Sequence, residues 1–250
     1  MKIALITGAS SGFGLETLKA LIGLDYKIIA IARRKERLEE LKQQFQDKVF
    51  SVVLDVKNKD AVFDAIQNLP SQWKEISLLV NNAGLALGLE EFHQLSVDDI
   101  ENMVDTNVKG FLYIAKAVLP LLKRNKSAHI INIGSIAANV PYYGGNVYCG
   151  TKAFVAQFSR ALRTDLRGTN IKVTNIAPGL CKTEFSEVRF KGNKLKAEEP
   201  YKDTKYITAQ DIAKIISFIV TLPEHININE IELMPVTQTW AGTFSEKIYD

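Results

Sequence analysis

The sequence predicts an α/β protein, a single Rossmann-type domain over residues 1–250 in which helices flank a doubly wound parallel sheet. Three observations lead to this prediction. Short, almost continuously apolar segments alternate with helical patterns along the chain. The first apolar segment ends in a glycine-rich turn that opens a helical pattern. Polar and glycine-rich motifs recur where later apolar segments end, at the edge where open parallel sheets bind ligands.

Each element is predicted from its own pattern of apolar residues. Strands are predicted at residues 2–7, 27–31, 49–54, 76–80, 129–133, 171–176 and 231–234. Helices are predicted from about residue 12 to 22 and at 35–41, 59–68, 97–123, 148–166 and 210–221. Strands in alternation with helices imply a parallel sheet that is covered on both faces.

The turn after the first strand, residues 7–14, reads Thr-Gly-Ala-Ser-Ser-Gly-Phe-Gly. Its first glycine permits a tight turn, its second lets the backbone approach a pyrophosphate, and its third lets the helix pack close to the strand. Phosphates would then meet the N–H groups at the start of the helix. A glycine-rich turn without a ligand explains this spacing less well. We expect cofactor contacts from Gly8, Ser10, Ser11, Gly12, Phe13 and Gly14.

The second predicted strand ends in Ala32-Arg33-Arg34. An acidic residue at this place would bind the free ribose hydroxyl of NAD, whereas arginine accommodates the 2′-phosphate of NADP. The sequence therefore favours NADP, with Arg33 as the preferred phosphate contact. Arg34 either joins it or only begins the charged helix that follows.

Tyr148 and Lys152 are four residues apart and therefore share one face of a helix. A phenol has an ordinary pKa near 10, and an adjacent cation would lower the pKa and make it a better base. Ser135 can hold the substrate oxygen while Tyr148 moves a proton. An isolated pair of this kind is more often a surface lysine beside a packed tyrosine, so the interpretation depends on the rest of the chain.

Composition excludes several function classes. The chain has 46% hydrophobic and 24% charged residues and a formal net charge of +3. Dispersed basic residues predict no nucleic-acid partner, and the short apolar runs predict no membrane span. The scattered histidines predict no metal site. Cys149 and Cys181 form no disulfide framework, and a reducing, cytoplasmic location is expected.

Over essentially its whole length the chain resembles the short-chain dehydrogenase/reductase family. The resemblance rests on residues 7–14, Asn81-Asn82-Ala83-Gly84, Asn107, Ser135, the run from Tyr148 to Lys152, and Pro178-Gly179 followed by Thr183. It implies a nicotinamide cofactor and reversible hydride transfer between an alcohol and a carbonyl.

The resemblance also implies roles for individual residues. Tyr148 would be the general acid/base, Lys152 would grip the nicotinamide ribose, and Ser135 would orient the carbonyl oxygen. Asn107 would help to hold a water in the proton relay. The implied cofactor contacts are Asp55, Val56, Asn82, Ala83, Gly84, Tyr148, Lys152, Pro178, Gly179 and Thr183.

A narrower resemblance concerns the substrate. Residues 141–148, 183–190 and 234–239 are similar to the NADP-dependent 3-hydroxy acid dehydrogenases, the serine and allo-threonine dehydrogenase group. That group is typically tetrameric, so a homotetramer is expected. Residues 179–183 depart from it because they lack its extra glycines, which affects the expected loop over the nicotinamide.

A hydroxy acid carries a carboxylate, which needs a cation or several N–H donors. Arg189 is the candidate, because it lies in the segment 180–207 where a substrate lid would form. A solvated arginine on a surface helix is an equally open interpretation. Two other functions also stay open: a carbonyl reductase for neutral ketones, sugars or steroids, and a non-catalytic NADP-binding protein.

Overall fold

Seven parallel strands form the central sheet of the computed structural model, which describes residues 2–240. Within these residues the strands are β1 Lys2–Thr7, β2 Tyr26–Ala32, β3 Val49–Val53, β4 Ile76–Asn81, β5 Ala128–Ile133, β6 Ile171–Pro178, β7 Cys181–Lys182, β8 Ile207–Thr208 and β9 Glu230–Leu233. The sheet order is β3-β2-β1-β4-β5-β6-β9, and β7 pairs separately with β8. The predicted fold class, a doubly wound parallel sheet, is confirmed.

Helices connect the strands and cover both faces of the sheet. They are α1 Gly12–Gly23, α2 Lys35–Phe45, α3 Lys59–Gln67, α4 Val97–Val104, α5 Phe111–Leu122, α6 Asn146–Asp165, α7 Phe185–Arg189, α8 Lys194–Glu198 and α9 Ala209–Thr221. None of the helices in residues 2–240 is long and apolar enough to span a membrane.

Alternation along β1 divides the core into two layers. Leu5 belongs to the layer under α3, α5 and α6, whereas Ile6 belongs to the layer under α1, α2 and α9. Both side chains are fully buried. The strands are therefore apolar on both faces, which is why they read as continuous runs rather than as alternating patterns.

The predicted helix 97–123 is wrong in one respect. A π-helical turn, Asp105–Gly110, separates α4 from α5. The backbone at Gly110 lies against Val56, and a Cβ there would be 2.7 Å from the Val56 Cγ2. Asn107, inside this turn, points towards residue 85. Such turns are common at functional sites, and apolar periodicity does not reveal them.

The sequence patterns give no elements for the segment 180–207, the expected substrate lid, and here the structure adds detail. Between β6 and α9 it contains β7, α7, α8 and β8. These elements are too short to give a periodic signal. The other predicted elements agree with the observed ones to within a few residues. Residues 241–250 of the predicted domain lie outside the described residues.

Candidate active site

A cavity of about 470 Å³ lies at the carboxyl edge of the sheet. The strand order reverses there between β1 and β4, which is the position where open α/β sheets bind ligands. The predicted site residues that line it are Gly8, Ser10, Ser11, Gly12, Phe13, Arg33, Arg34, Asp55, Val56, Asn82, Ala83, Gly84, Ser135, Tyr148, Lys152, Pro178, Gly179, Thr183 and Arg189. Of the remaining two, Gly14 packs behind Gly8 and Asn107 lies behind Gly84.

The glycine-rich turn leaves room that side chains would fill. Gly8 and Gly12 have φ angles of +66° and +50°, a region that favours glycine. A Cβ at Gly8 would be 2.8 Å from the side-chain nitrogen Nδ2 of Asn82, and one at Gly14 would collide with the Gly8 carbonyl oxygen. Ser11, at the N-cap of α1, makes no side-chain capping bond. The turn is therefore a cradle whose helical N–H groups can meet an anion.

Two arginines meet at the end of β2. Arg34 donates from Nε and Nη2 to the Ser10 hydroxyl, 3.1 Å each, and from Nη1 to Glu184, 2.7 Å. Arg37 donates to the same carboxylate at 2.6 Å. Burial raises the pKa of Glu184, but the hydrogen bonds from both arginines outweigh it and hold the pKa below its usual value. Arg33 lines the same cavity but is exposed.

Arg34 begins the charged helix, as one of the two interpretations expects, and its contact with the 2′-phosphate stays a prediction. It occupies the N-cap position of α2, and its side chain turns into the cavity. The preference for Arg33 as the phosphate contact stays a prediction.

Thr7 connects β1 to the loop after β4. Its hydroxyl accepts hydrogen bonds from the backbone N–H groups of Asn82 and Ala83, 2.9 Å each. The Asn82 side chain donates in turn to the Thr7 carbonyl at 2.8 Å. These bonds connect the ends of β1 and β4, where the strand order reverses, and hold the loop 82–84 along the cavity wall.

The four residues expected to form the catalytic group come together from three elements. Ser135 follows β5, and its hydroxyl accepts from Ala137 N at 3.1 Å. Tyr148 and Lys152 lie on α6, and the ammonium donates to the Ile133 carbonyl at 2.8 Å. Asn107 is locked to the loop after β4 by two backbone bonds at residue 85, of 2.7 and 2.8 Å.

Burial dominates the ionisation of the α6 pair. It raises the pKa of Tyr148 well above its usual range, opposed by the cation Arg189 and a hydrogen bond with Ser135. It also lowers the pKa of Lys152 to about 8. The expectation of a lowered Tyr148 pKa is therefore wrong in its net direction, because burial outweighs the effects that lower it, whereas a lowering contribution from Lys152 stays a prediction.

Arg189 lies inside the site. Its guanidinium carbon is 5.1 Å from the centre of the Tyr148 ring and 5.3 Å from that of Phe185. Nη2 donates to the Tyr142 hydroxyl at 2.6 Å, while the buried Nε has no hydrogen-bond partner among residues 2–240. The interpretation as a solvated surface arginine is excluded by these contacts.

Sequence reasoning missed four residues that shape the cavity or its edge. Arg37 lies one helical turn after the predicted arginines, which was the available signal. Glu184, Tyr142 and Gln238 approach only through the fold; Gln238 accepts from Leu180 N at 2.7 Å. All three lie in the segments 141–148, 183–190 and 234–239 that resemble the 3-hydroxy acid dehydrogenases, which was the available signal, but their contacts are not evident from spacing along the chain.

The sequence predicts no metal site, and the arrangement of the acidic, histidine and cysteine side chains bears on this prediction. Within the described range 2–240 no three of them form a group that could hold a metal ion. Cys149 and Cys181 are both free thiols.

The sequence model of the short chain dehydrogenase family matches residues 2–194. The chain belongs to this family. A short-chain dehydrogenase places a nicotinamide cofactor at the strand ends that hold the cavity described above. The resemblance drawn from the motifs is thereby confirmed.

Among the relatives of this short-chain dehydrogenase is the NADP-dependent 3-hydroxy acid dehydrogenase YdfG of Salmonella typhi. The two are 52% identical over 241 residues, which cover 96% of this chain and 97% of the relative. Serine 3-dehydrogenase of Agrobacterium fabrum is 46% identical over 238 residues, 95% of either chain.

A solved structure described as the closed form of serine dehydrogenase complexed with NADP+ superposes with a TM-score of 0.96. It is 50% identical and the match covers 98% of this chain and all of the other. A serine dehydrogenase from Escherichia coli, 46% identical, superposes with a TM-score of 0.83 over 95% of this chain and 99% of the other.

Proposed function

We propose that this short-chain dehydrogenase transfers a hydride reversibly between NADP and a small 3-hydroxy acid of the serine, allo-threonine or 3-hydroxypropionate type. One observation carries the substrate class: the Arg189 guanidinium lines the cavity, and its carbon lies 5.1 Å from the centre of the Tyr148 ring. The names of relatives 46–52% identical support the same activity.

The residues present fit NADP. Gly8 and Gly12 leave a cradle beside the start of α1 that side chains would fill, which suits a pyrophosphate. Ser10, Arg33 and Arg34 present a hydroxyl and two guanidinium groups at the end of β2, which suits a 2′-phosphate. Asp55, Val56, Asn82, Ala83, Gly84, Pro178, Gly179 and Thr183 form the remaining contacts. When bound, NADP accepts or supplies the hydride.

Tyr148 moves the proton. Its raised pKa keeps the phenol protonated at neutral pH, so Tyr148 is ready to donate to a carbonyl oxygen in the direction of reduction. Ser135, which hydrogen-bonds with Tyr148, orients the same oxygen. Lys152 grips the nicotinamide ribose, and with a pKa of about 8 it exchanges a proton near neutral pH. Asn107 holds a water of the relay to solvent.

Arg189 binds the substrate carboxylate. In a 3-hydroxy acid a single carbon separates the carbinol carbon from the carboxylate, so the anion must lie close to Tyr148. The guanidinium of Arg189 lines the cavity beside the Tyr148 ring and supplies a cation at that place. A longer acid would place its carboxylate beyond the guanidinium. A neutral alcohol would leave the guanidinium without an anionic partner.

Residues 180–207 form the substrate lid. Three contacts support this role: Glu184 with Arg34, the Arg189 carbonyl with Gly88 N at 3.0 Å, and Lys191 with Asp99 at 2.7 Å. They tie the segment to both sides of the cavity, and such a cover excludes water from hydride transfer.

Assembly and location complete the proposal. A homotetramer is proposed from the resemblance to the 3-hydroxy acid dehydrogenase group. Two free thiols favour the reducing cytoplasm. Size-exclusion chromatography with light scattering tests the first point, and fractionation of the source cells tests the second.

The activity is tested by following formation of NADPH by the purified protein. L-serine, L-allo-threonine and 3-hydroxypropionate are the acids, 1-propanol and 1,3-propanediol are neutral controls of similar length, and NAD replaces NADP in a parallel set. Reduction of NADP by the acids, with little from the neutral alcohols, is expected. Turnover of neutral alcohols alone would replace this function by that of a carbonyl reductase. Cofactor binding without any turnover would leave an NADP-binding protein.

A further inference from the structure

Tyr142 and Arg189 both line the cavity. Its hydroxyl accepts a hydrogen bond from Nη2 of Arg189 at 2.6 Å. Tyr142 belongs to the loop before α6, and Arg189 ends α7 of the lid. This bond therefore joins the loop before α6 to the proposed lid, beside the Tyr148 ring.

The backbone holds the Tyr142 ring in place. Gly145 N donates to the Tyr142 carbonyl at 2.9 Å and closes a turn in which Gly144 has a φ of +71°. A Cβ at Gly145 would lie 2.7 Å from two ring carbons of Tyr142, so only glycine lets the ring rest against this turn. The Tyr142 ring is thus held by contacts within its own loop as well as by the bond of its hydroxyl with Arg189.

The hydrogen-bond donors and acceptors of Tyr142 and Arg189 indicate which kind of ligand the two residues can bind. A tyrosine hydroxyl can accept and also donate one hydrogen bond. Tyr142 accepts from Arg189, and no acceptor for its own proton is found in residues 2–240. Burial raises the pKa of Tyr142 in spite of the nearby guanidinium, so the phenol keeps its proton at neutral pH. Tyr142 is 39% exposed, so a ligand in the cavity can reach its hydroxyl, and the Arg189 guanidinium that lines the same cavity supplies a positive charge.

A cation and a phenol O–H on neighbouring residues, both lining one cavity, suit an acceptor with two oxygens and a negative charge. We propose that Tyr142 is a second binding residue for the substrate carboxylate: it positions Arg189 and donates its own O–H to the acid. The inference rests on the proposed activity towards 3-hydroxy acids and deepens it. It makes the choice of an acid over a neutral alcohol depend on two groups.

Tyr142→Phe is the direct test, because it keeps the ring against Gly145 and removes only the oxygen. Tyr143→Phe is the matched control: that side chain is 77% exposed, and its hydroxyl donates to Glu91. For each protein kcat/KM is measured with 3-hydroxypropionate and with 1,3-propanediol, together with the Kd for NADP.

Loss of a hydrogen bond to a charged group predicts a fall of about tenfold to a hundredfold in kcat/KM for the acid in Tyr142→Phe. The diol value and the Kd for NADP should stay within about twofold of wild type, and Tyr143→Phe should match wild type throughout. In an Arg189→Ala background, Tyr142→Phe should cost less than it does alone, because the two groups act on one carboxylate.

Different failures have different meanings. If the wild-type protein oxidises the diol but no 3-hydroxy acid, the proposed function and the role of Tyr142 both fail. If the wild-type protein oxidises the acid and Tyr142→Phe does so equally well, or loses acid and diol activity alike, only the role of Tyr142 is overturned.

Discussion

Glu184 accepts a hydrogen bond of 2.7 Å from Arg34, although 150 positions separate them in the sequence. The contact joins the proposed lid to the arginines at the end of β2. A carboxylate of the lid thus already lies where the 2′-phosphate of NADP is proposed to bind, and two anions would compete for the same guanidinium groups.

Glu184→Gln should therefore tighten the binding of NADP by about twofold to fivefold, the range expected from removing partly exposed charge pairs. Affinity for NAD, which has no phosphate there, should not change. Glu187→Gln is the control, since it removes the same charge from an exposed position of α7. Both Kd values are measured by titration of intrinsic fluorescence. Weaker binding of NADP by Glu184→Gln would show instead that Glu184 orients the arginines for the phosphate.

Tyr148→Phe should reduce turnover by at least about a hundredfold, because loss of a general acid/base typically costs that much or more. The Kd for NADP should stay close to that of wild type, since the ring and its contact with Phe185 remain. Steady-state kinetics and cofactor titration give the two values. Turnover within about tenfold of wild type would remove Tyr148 from its proposed role.

Arg189→Ala should raise the KM for 3-hydroxypropionate at least about tenfold and leave the KM for NADP nearly unchanged, because the lost group is a charged donor to the carboxylate. Arg189→Lys should recover only part of the loss, since an ammonium cannot offer two parallel donors. Initial rates over a matrix of both substrate concentrations separate the two constants. An unaltered KM for the acid would exclude Arg189 from the site.

The lowered pKa of Lys152 predicts how the free energy of unfolding depends on pH. The pKa of Lys152 is about 8 in the folded protein, whereas its ordinary value is 10.5. At pH values between these two, the unfolded chain holds a proton on Lys152 that the folded chain has lost. Stability of the wild type should rise with pH across this window. Below it, the buried charge destabilises the folded protein.

Lys152→Met removes this charge and should be more stable than wild type near neutral pH. The difference in the free energy of unfolding should shrink by about 2 kcal/mol between roughly pH 7 and pH 9.5. Urea unfolding of both proteins at the two pH values measures it. A difference that does not vary with pH would mean that Lys152 titrates as an ordinary lysine.

Gly14→Ala should destabilise the protein by about 1–3 kcal/mol, the usual cost of overpacking, because the new Cβ would collide with the Gly8 carbonyl. Gly23 ends the same helix, and a Cβ there would meet nothing within 4 Å. Gly23→Ala should stabilise the protein by up to about 1 kcal/mol. Urea unfolding compares the two, and equal effects would contradict the close approach of α1 to β1.

Local patterns were sufficient for the elements that build the site. Tyr148 and Lys152 share a face of α6 because four residues make about one helical turn, and this holds wherever the helix packs. Gly8 and Gly12 predict a turn because few other residues tolerate its backbone. The π-helical turn around Asn107 was missed, because it depends on packing against Val56 rather than on periodicity.

The sequence by itself determined the order of strands and helices, the family, the cradle at the first turn and the Tyr148–Lys152 pair, since each depends on residues close together in the chain. Only the tertiary structure decided that Arg189 faces Tyr148, that Tyr142 holds it, and that Glu184 reaches Arg34. It also reversed the expected pKa shift of Tyr148, because desolvation depends on everything packed around a group and not on its neighbours in sequence.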